Sequence, residues 1–369
     1  MKKVVFVAGA RPNFMKVAPV LAALGHRPVP FHPCLVHTGQ HYDEQMSGVF
    51  FEQLGLPPPE AYLNVGGGTH GMQTGRIMEA FERYLLELAD RPAGVVVVGD
   101  VNSTVACSLA AVKLQIPVTH LEAGLRSFDR TMPEEINRIV TDVIADLLLV
   151  SEPAGETNLL REGIPAGRIR YIGNVMIDTL LRELPAARAL CVPRKFGLEA
   201  GDYAVVTLHR PSNVDDPERL CSLMALLWNL ARRFPVVFPA HPRTRQRLEQ
   251  SGLAEAQPVG AELRILEPLP YREMLGLQAE ARVVITDSGG IQEETTFLGV
   301  PCLTMRPNTE RPITVSDGTN TLIPGDPGEA ERWVQEILAG RYKAGRPIPG
   351  WDGRAGERAS DVLVEAWGG

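Results

Sequence analysis

From residue 4 to residue 323 the chain alternates short apolar runs with longer stretches of helical pattern, which restricts it to a few α/β architectures. In the first half the runs are Val4–Ala8, Cys34–Thr38, Val95–Gly99, Val118–Glu122, Leu147–Val150 and Ile169–Ile172. In the second they are Ala204–Leu208, Val236–Ala240, Leu263–Leu266, Val283–Thr286, Pro301–Met305 and Thr321–Ile323. Most lack strict polar–apolar alternation, as strands buried on both faces of a parallel sheet should. Helical patterns such as Asn102–Leu114 and Pro217–Arg233 lie between them. Two sets of about six βα units predict two doubly wound domains. A single barrel of eight units matches neither that count nor the break near residue 190. The boundary is expected between residues 174 and 200, giving domains 1–174 and 175–350. The tail 351–369 reads as a helix returning to the first domain.

Composition bounds the function. Apolar residues make up 44% and charged residues 22%, the balance of an ordinary globular chain. The net charge of −7 favours neither nucleic acid nor an anionic membrane as partner, so any phosphate site must be local. No stretch approaches the ~18 apolar residues of a membrane span. The opening MKKVVFVAGA reads as a strand, too short in its apolar run for a signal peptide. The five cysteines (Cys34, Cys107, Cys191, Cys221 and Cys302) form no CxxC pair and have no metal-ligand spacing. These features predict a cytoplasmic protein with no metal and no cofactor.

Ligands of open parallel sheets bind outside the carboxyl ends of the strands. Here those ends read Gly9-Ala10-Arg11, His37-Thr38-Gly39-Gln40-His41, Gly99-Asp100, Glu122-Ala123-Gly124, Ser151 and Gly173-Asn174. The second half adds His209-Arg210, His241-Pro242-Arg243, Glu267-Pro268 and Asp287-Ser288. One such ending is often only a helix N-cap. Ten, drawn from both halves, predict a polar cleft between two domains.

Three segments carry the chemistry. Gly9 to Lys16 is a strand-to-helix turn with two cations, Arg11 and Lys16, but it is neither GxGxxG nor a P-loop, which removes support for nicotinamide and ATP. Asp287-Ser288-Gly289-Gly290-Ile291-Gln292-Glu293-Glu294 leads a strand through glycines into a helix start, where backbone N–H groups can meet an anion and Glu294 suits a ribose diol. Its carboxylates also fit simple compensation of the helix dipole. Asp100, Glu122 and Glu134 are candidate proton-transfer groups, although Asp100 could cap the following helix and Glu134 could serve only its dipole. His209 joins them as a titratable group at a strand end. His41 and His241 are weaker candidates, and His26, His32 and His70 have no such setting.

Assembled in order, these segments resemble the non-hydrolysing UDP-N-acetylglucosamine 2-epimerases. The resemblance rests on GARPNFMKVAPV (9–20), TGQHYDEQMSGVFFEQLGL (38–56), GDVNST (99–104), HLEAGLRS (120–127), MPEEINR (132–138), GNVMIDTL (173–180), HRPSN (209–213), AHPR (240–243), DSGGIQEE (287–294) and ERPITVSDGTN (310–320). It implies the glycosyltransferase-B architecture, with two Rossmann-like domains facing a cleft, and a homodimer. By similarity Asp100, Glu122, Glu134 and His209 hold the catalytic positions. Arg11 and Lys16 match the basic residues beside the substrate phosphates. Ser288, Gly289, Gly290 and Glu294 match the UDP-binding segment, and the resemblance also enlists Arg210, His241 and Arg311 for substrate binding.

The implied reaction needs no metal or nicotinamide. Departure of UDP from C1 makes the C2 proton acidic, a base removes it to give a 2-acetamidoglucal, and re-protonation on the other face precedes return of UDP. Two departures from allosterically activated bacterial members stand out. Tyr42-Asp43 and Pro211-Ser212 replace charge-bearing segments, which predicts the absence of a second, activating UDP-sugar. The HYDEQMSGVFFEQLG form also occurs in relatives acting on diacetamido-glucuronate nucleotides, so that substrate is the alternative. A glycosyltransferase on the same architecture is another.

Overall fold

A computed structural model describes residues 1–39 and 51–368. The segment around Gln40–Glu44, with His41 and Tyr42-Asp43, lies outside the described residues. The chain divides into two compact units, Met1–Thr179 with Pro349–Gly369, and Leu180–Ile348.

The first unit is a seven-stranded, wholly parallel sheet of β1 (Lys3–Ala8), β2 (His32–His37), β3 (Ala61–Tyr62), β4 (Gly94–Val98), β5 (Val118–Ala123), β6 (Leu147–Val150) and β7 (Ile169–Tyr171), in the order β3-β2-β1-β4-β5-β6-β7. Its central strands are completely buried because helices cover both faces, and that is why their sequences read as continuous apolar runs. β3 escapes the sequence pattern because it is two residues long and contributes no apolar run. The second unit is a six-stranded parallel sheet of β8 (Ala204–Thr207), β9 (Val236–Pro239), β10 (Leu263–Leu266), β11 (Val283–Thr286), β12 (Cys302–Thr304) and β13 (Asn320–Leu322), ordered β10-β9-β8-β11-β12-β13. Both are Rossmann-like. In each, strand order reverses beside the first strand, between β1 and β4 and between β8 and β11, and at such a switch point the following loops turn apart and leave room for a ligand.

The chain returns to the first unit through residues 349–368. Tyr171 Oη donates to the Pro349 carbonyl (2.5 Å) and Arg358 Nη2 to that of Gly350 (2.9 Å). The Asp178 carboxylate accepts the N–H groups of Ala355 (3.2 Å) and Gly356 (2.7 Å), closing the start of the last helix, Ala355–Trp367. At the other end Trp367 Nε1 donates to Thr119 Oγ1 in β5 (3.1 Å). Between these anchors the helix lies on Arg11–Gly25, with Gly356 against Pro19. A Cβ at residue 356 would stand 2.7 Å from the Pro19 carbonyl group, which is backbone and cannot rotate aside. Among the described residues no helix is long and apolar enough to cross a membrane.

Gly356→Ala should therefore lift the last helix from its bed and destabilise the protein by about 1–3 kcal/mol, the usual scale of overpacking. Urea unfolding followed by circular dichroism checks this. An unchanged midpoint would contradict the packing account.

Candidate functional site

In the first unit the switch point is closed by Asn13, in the first turn of the helix that follows β1. Its Oδ1 accepts the N–H groups of Gly9 (3.1 Å) and Ala10 (3.0 Å), and its Nδ2 donates to the Val98 carbonyl of β4 (3.2 Å). One amide thus ties the ends of the two diverging strands together. Gly9 must be glycine, because a Cβ there would run into both Ser103 Oγ and Thr38 Oγ1, which bond each other at 2.7 Å.

Lys16 and Glu122 meet beside this turn as a buried ion pair, 7% and 6% exposed. Glu122 lies within β5 at a register irregularity, and its φ of +71° is a left-handed conformation that a non-glycine residue adopts only at a cost of about 1–3 kcal/mol. Strain of that kind persists where packing over-determines it, and it turns the carboxylate toward Lys16. Gly99 (φ +67°) leaves the room, since a Cβ there would lie 3.2 Å from Lys16 Nζ and 3.3 Å from Glu122 Oε2.

Asp100 follows directly and pairs with Arg138, which is itself buried and held by Glu135 (Nη2 to Oε2, 2.7 Å). Burial opposes charge on Glu135, but the Ser127 N–H (2.9 Å) and Arg138 more than offset it and hold its pKa below the usual carboxylate range. Glu135 is therefore a structural carboxylate. Its neighbour Glu134 is half-buried in the same first turn, and its carboxylate makes no hydrogen bond among the described residues. Asn137 Nδ2 donates to the Asp100 carbonyl (2.8 Å) and Asn102 Oδ1 (3.2 Å). His70, which the sequence left without a setting, lies beside Asn102 (Nδ1 to Nδ2, 3.2 Å). Arg11 opens the helix after β1 and is partly exposed.

The second unit repeats the arrangement with different groups. Asp287 follows β11, His209 follows β8, and their side chains join across the switch point. The fully buried carboxylate of Asp287 accepts His209 Nδ1 (2.8 Å), the N–H groups of His209 (3.0 Å) and Arg210 (2.9 Å), and Asn213 Nδ2 (3.1 Å). Burial alone would raise its pKa, yet His209 and these donors lower it below the ordinary aspartate value. His209 is thereby fixed with a hydrogen on Nδ1 and its ring 41% exposed, leaving Nε2 as the free edge of the imidazole. The exposed His241 ring lies 5.9 Å away, centroid to centroid.

Beyond Ser288, at the N-cap, the helix Gly289–Leu298 begins. A Cβ on Gly289 would sit 2.5 Å from Arg311 Nη1, so the missing side chain lets a guanidinium lie against the first turn. Gly290 has open space beside its Cα, which leaves the backbone approachable. Arg311 pairs with Glu293 (2.9 Å), and Glu310 lies among Arg306 (2.7 Å), Arg311 (3.6 Å) and Arg210 (3.9 Å). Guanidinium groups thus gather beside the start of this helix, where backbone N–H groups can also meet an anion. Glu294 is buried, 4% exposed, on the same helix. Among the described residues no three His, Cys, Asp or Glu side chains gather as a metal-ligand set.

Sequence reasoning missed Asn13, Arg138, Glu310 and the part played by Asp287, which it read as a strand ending. Their signal is weak because each acts on a partner distant in the chain, 85 residues for Asn13 and 74 for Asp287 with Asn213.

Two Rossmann-like domains with polar groups gathered at their switch points define a member of the glycosyltransferase-B structural class. A family model for UDP-N-acetylglucosamine 2-epimerases matches residues 23–364, and the chain belongs to that family. A UDP-N-acetylglucosamine 2-epimerase of Methanocaldococcus jannaschii is 41% identical over 98% of this chain and 99% of its own. A UDP-2,3-diacetamido-2,3-dideoxy-D-glucuronate 2-epimerase of Pseudomonas aeruginosa is also 41% identical, over 98% of each chain. The crystal structure of a Methanocaldococcus jannaschii UDP-GlcNAc 2-epimerase in complex with UDP-GlcNAc and UDP superposes with a TM-score of 0.89 at 40% identity, covering 98% of this chain and 99% of that one.

Asp287→Asn should reverse the His209 tautomer. Three donors converge on one carboxylate oxygen, so the amide oxygen must take that side and its NH2 must face Nδ1, moving the ring hydrogen to Nε2. Nitrogen-15 spectra of labelled histidine in alkaline buffer report the tautomer. Retention of the Nδ1–H form would contradict the assignment.

Proposed function

We propose that this chain interconverts UDP-N-acetylglucosamine and UDP-N-acetylmannosamine by eliminating UDP from C1 to a 2-acetamidoglucal, re-protonating C2 on the opposite face and adding UDP back to C1. The observation that carries this reading is that the first unit holds the carboxylates Asp100, Glu122 and Glu134 at strand and helix ends, while the second holds an anion-binding corner built around Arg311 and the open Gly290. Proton abstraction beside a departing diphosphate needs both, a base for C2 and positive charge for the leaving group.

In this reading the first unit moves protons. Lys16 pairs with Glu122 and orients it, Arg138 does the same for Asp100, and Glu134 is the carboxylate left uncommitted by the fold. Arg11 stands at a helix start, where it adds a positive charge to the helix dipole. The second unit holds the nucleotide. Ser288, Gly289 and Gly290 offer the helix start to the diphosphate, Arg210 and Arg311 supply charge, Glu294 takes the ribose, and His209 presents Nε2 as a proton carrier with His241 beside it. The homodimer is proposed with it.

A diacetamido-glucuronate nucleotide is the second reading, favoured by the Pseudomonas aeruginosa relative that matches as well as the archaeal one. Incubation with each UDP-sugar alone, followed by chromatography, tests both. Appearance of UDP-N-acetylmannosamine without any acceptor supports the proposal and excludes an obligatory transferase. Free N-acetylmannosamine, or turnover of the uronate only, contradicts it.

Asp100→Asn, Glu122→Gln and Glu134→Gln should each lower turnover by at least ~100-fold, the scale of lost acid–base help. A variant with near-normal kcat leaves the catalytic set. Rates against UDP-N-acetylmannosamine should be hyperbolic, because Pro211-Ser212 and Tyr42-Asp43 replace charged residues that would hold an anionic activator. A sigmoidal curve, or a lag abolished by traces of UDP-N-acetylglucosamine, would show that an activator site survives.

A further inference from the structure

His120 is fully buried in β5, two residues before Glu122, and the mechanism above does not use it. Its ring makes two bonds. Nε2 is 2.8 Å from the Gly99 carbonyl, which can only accept, so Nε2 carries a hydrogen. Nδ1 is 2.6 Å from Oδ1 of Asp142, a fully buried carboxylate on the helix Pro133–Ile144. The other Asp142 oxygen accepts the Gly124 N–H (3.1 Å) and pairs with Arg126 (2.7 Å), which is gripped in turn by Glu162 (2.6 Å). Buried polar groups connected this completely leave the ring one position.

What that position controls is the peptide between Gly99 and Asp100. Gly99 has a left-handed backbone (φ +67°) and no side chain, so the His120 bond acts directly on the plane of its carbonyl. The same peptide sets the direction in which Asp100 leaves the strand, and the space beside Gly99 is the one occupied by Lys16 and Glu122. A rotation there moves two proposed acid–base groups at once.

We propose that His120 is a positioning residue for the epimerisation: its Nε2–H bond to the Gly99 carbonyl fixes the turn carrying Asp100 and the space filled by Glu122, with Asp142 holding the ring. This rests on the proposed function. A displacement of about 1 Å in a reacting group can cost ~100-fold.

Three variants separate this role from simple stability. In His120→Gln the new amide nitrogen can reach the site of Nε2, so the donor to Gly99 is kept. In His120→Asn the shorter amide reaches only the site of Nδ1, so that donor is lost. In Asp142→Asn the amide oxygen must face Gly124 and Arg126, its NH2 then meets Nδ1, and the ring keeps its hydrogen on Nε2. The expected order is a fall in kcat of ~10- to 100-fold for His120→Asn, with KM and calorimetric UDP affinity unchanged, and recovery of most of it in His120→Gln and Asp142→Asn. Equal losses in His120→Gln and His120→Asn, or wild-type kcat in His120→Asn, would overturn the proposal. Should His120→Asn fail to fold, as its melting temperature would reveal, the crystal structure of His120→Gln decides. The new amide bonded to Gly99 with Asp100 unmoved supports the role, and an unbonded Gly99 carbonyl with wild-type kcat refutes it. A wild-type protein that does not epimerise would instead strike the proposed function, while the structural readout on Asp100 would still judge the positioning.

Discussion

A parallel sheet wound in two directions must part its loops where the direction reverses, and in each unit of this chain one side chain spans that parting. Asn13 does so between β1 and β4, and Asp287 between the loops after β8 and β11. Each is 2% exposed or less, and each uses its hydrogen-bonding capacity on partners that face away from one another in the chain. Removing either would leave two backbone N–H groups without their partner, at about 1–3 kcal/mol apiece where buried. The groups that read as functional hang from these two ties: Lys16 lies three residues beyond Asn13, and His209 is bonded to Asp287 directly.

The two ties differ in chemistry, and the difference divides the labour. An amide is neutral, so Asn13 sets geometry without adding charge, and the proposed acid–base residues beside it are balanced by their own cations, Glu122 by Lys16 and Asp100 by Arg138. A buried carboxylate brings a charge that must be met by donors, and Asp287 meets it partly with an imidazole. The same bond that satisfies Asp287 gives His209 a defined tautomer. Buried ion pairs are costly unless fully hydrogen-bonded, and those of Glu122 with Lys16 and of Asp287 with His209 stand at strand ends, which favours a role in function over one in stability.

Much of the fold was legible in the sequence. Parallel strands covered on both faces are written as apolar runs, and twelve of the thirteen strands among the described residues could be found that way. The two Rossmann-like domains and the family followed from those runs and from ordered motifs. What stayed hidden were pairings. Nothing in Asp287-Ser288 says that the aspartate reaches His209, and nothing in MPEEINR says that Glu135 braces Arg138 while Glu134 is left uncommitted. Neighbouring glutamates look alike until the backbone decides which one faces the loop. The positive φ of Glu122 is likewise invisible, because it arises from packing and not from residue type.

The central claim is that this chain breaks and remakes the C2–H bond of a UDP-N-acetylhexosamine. Running the wild-type reaction in heavy water and reading the recovered nucleotide sugars by proton NMR tests it most directly. Deuterium at C2, and at no other carbon, in the epimerised product is the result the account predicts. An epimerised product with its C2 proton intact would contradict it, because no path through a 2-acetamidoglucal could then be operating.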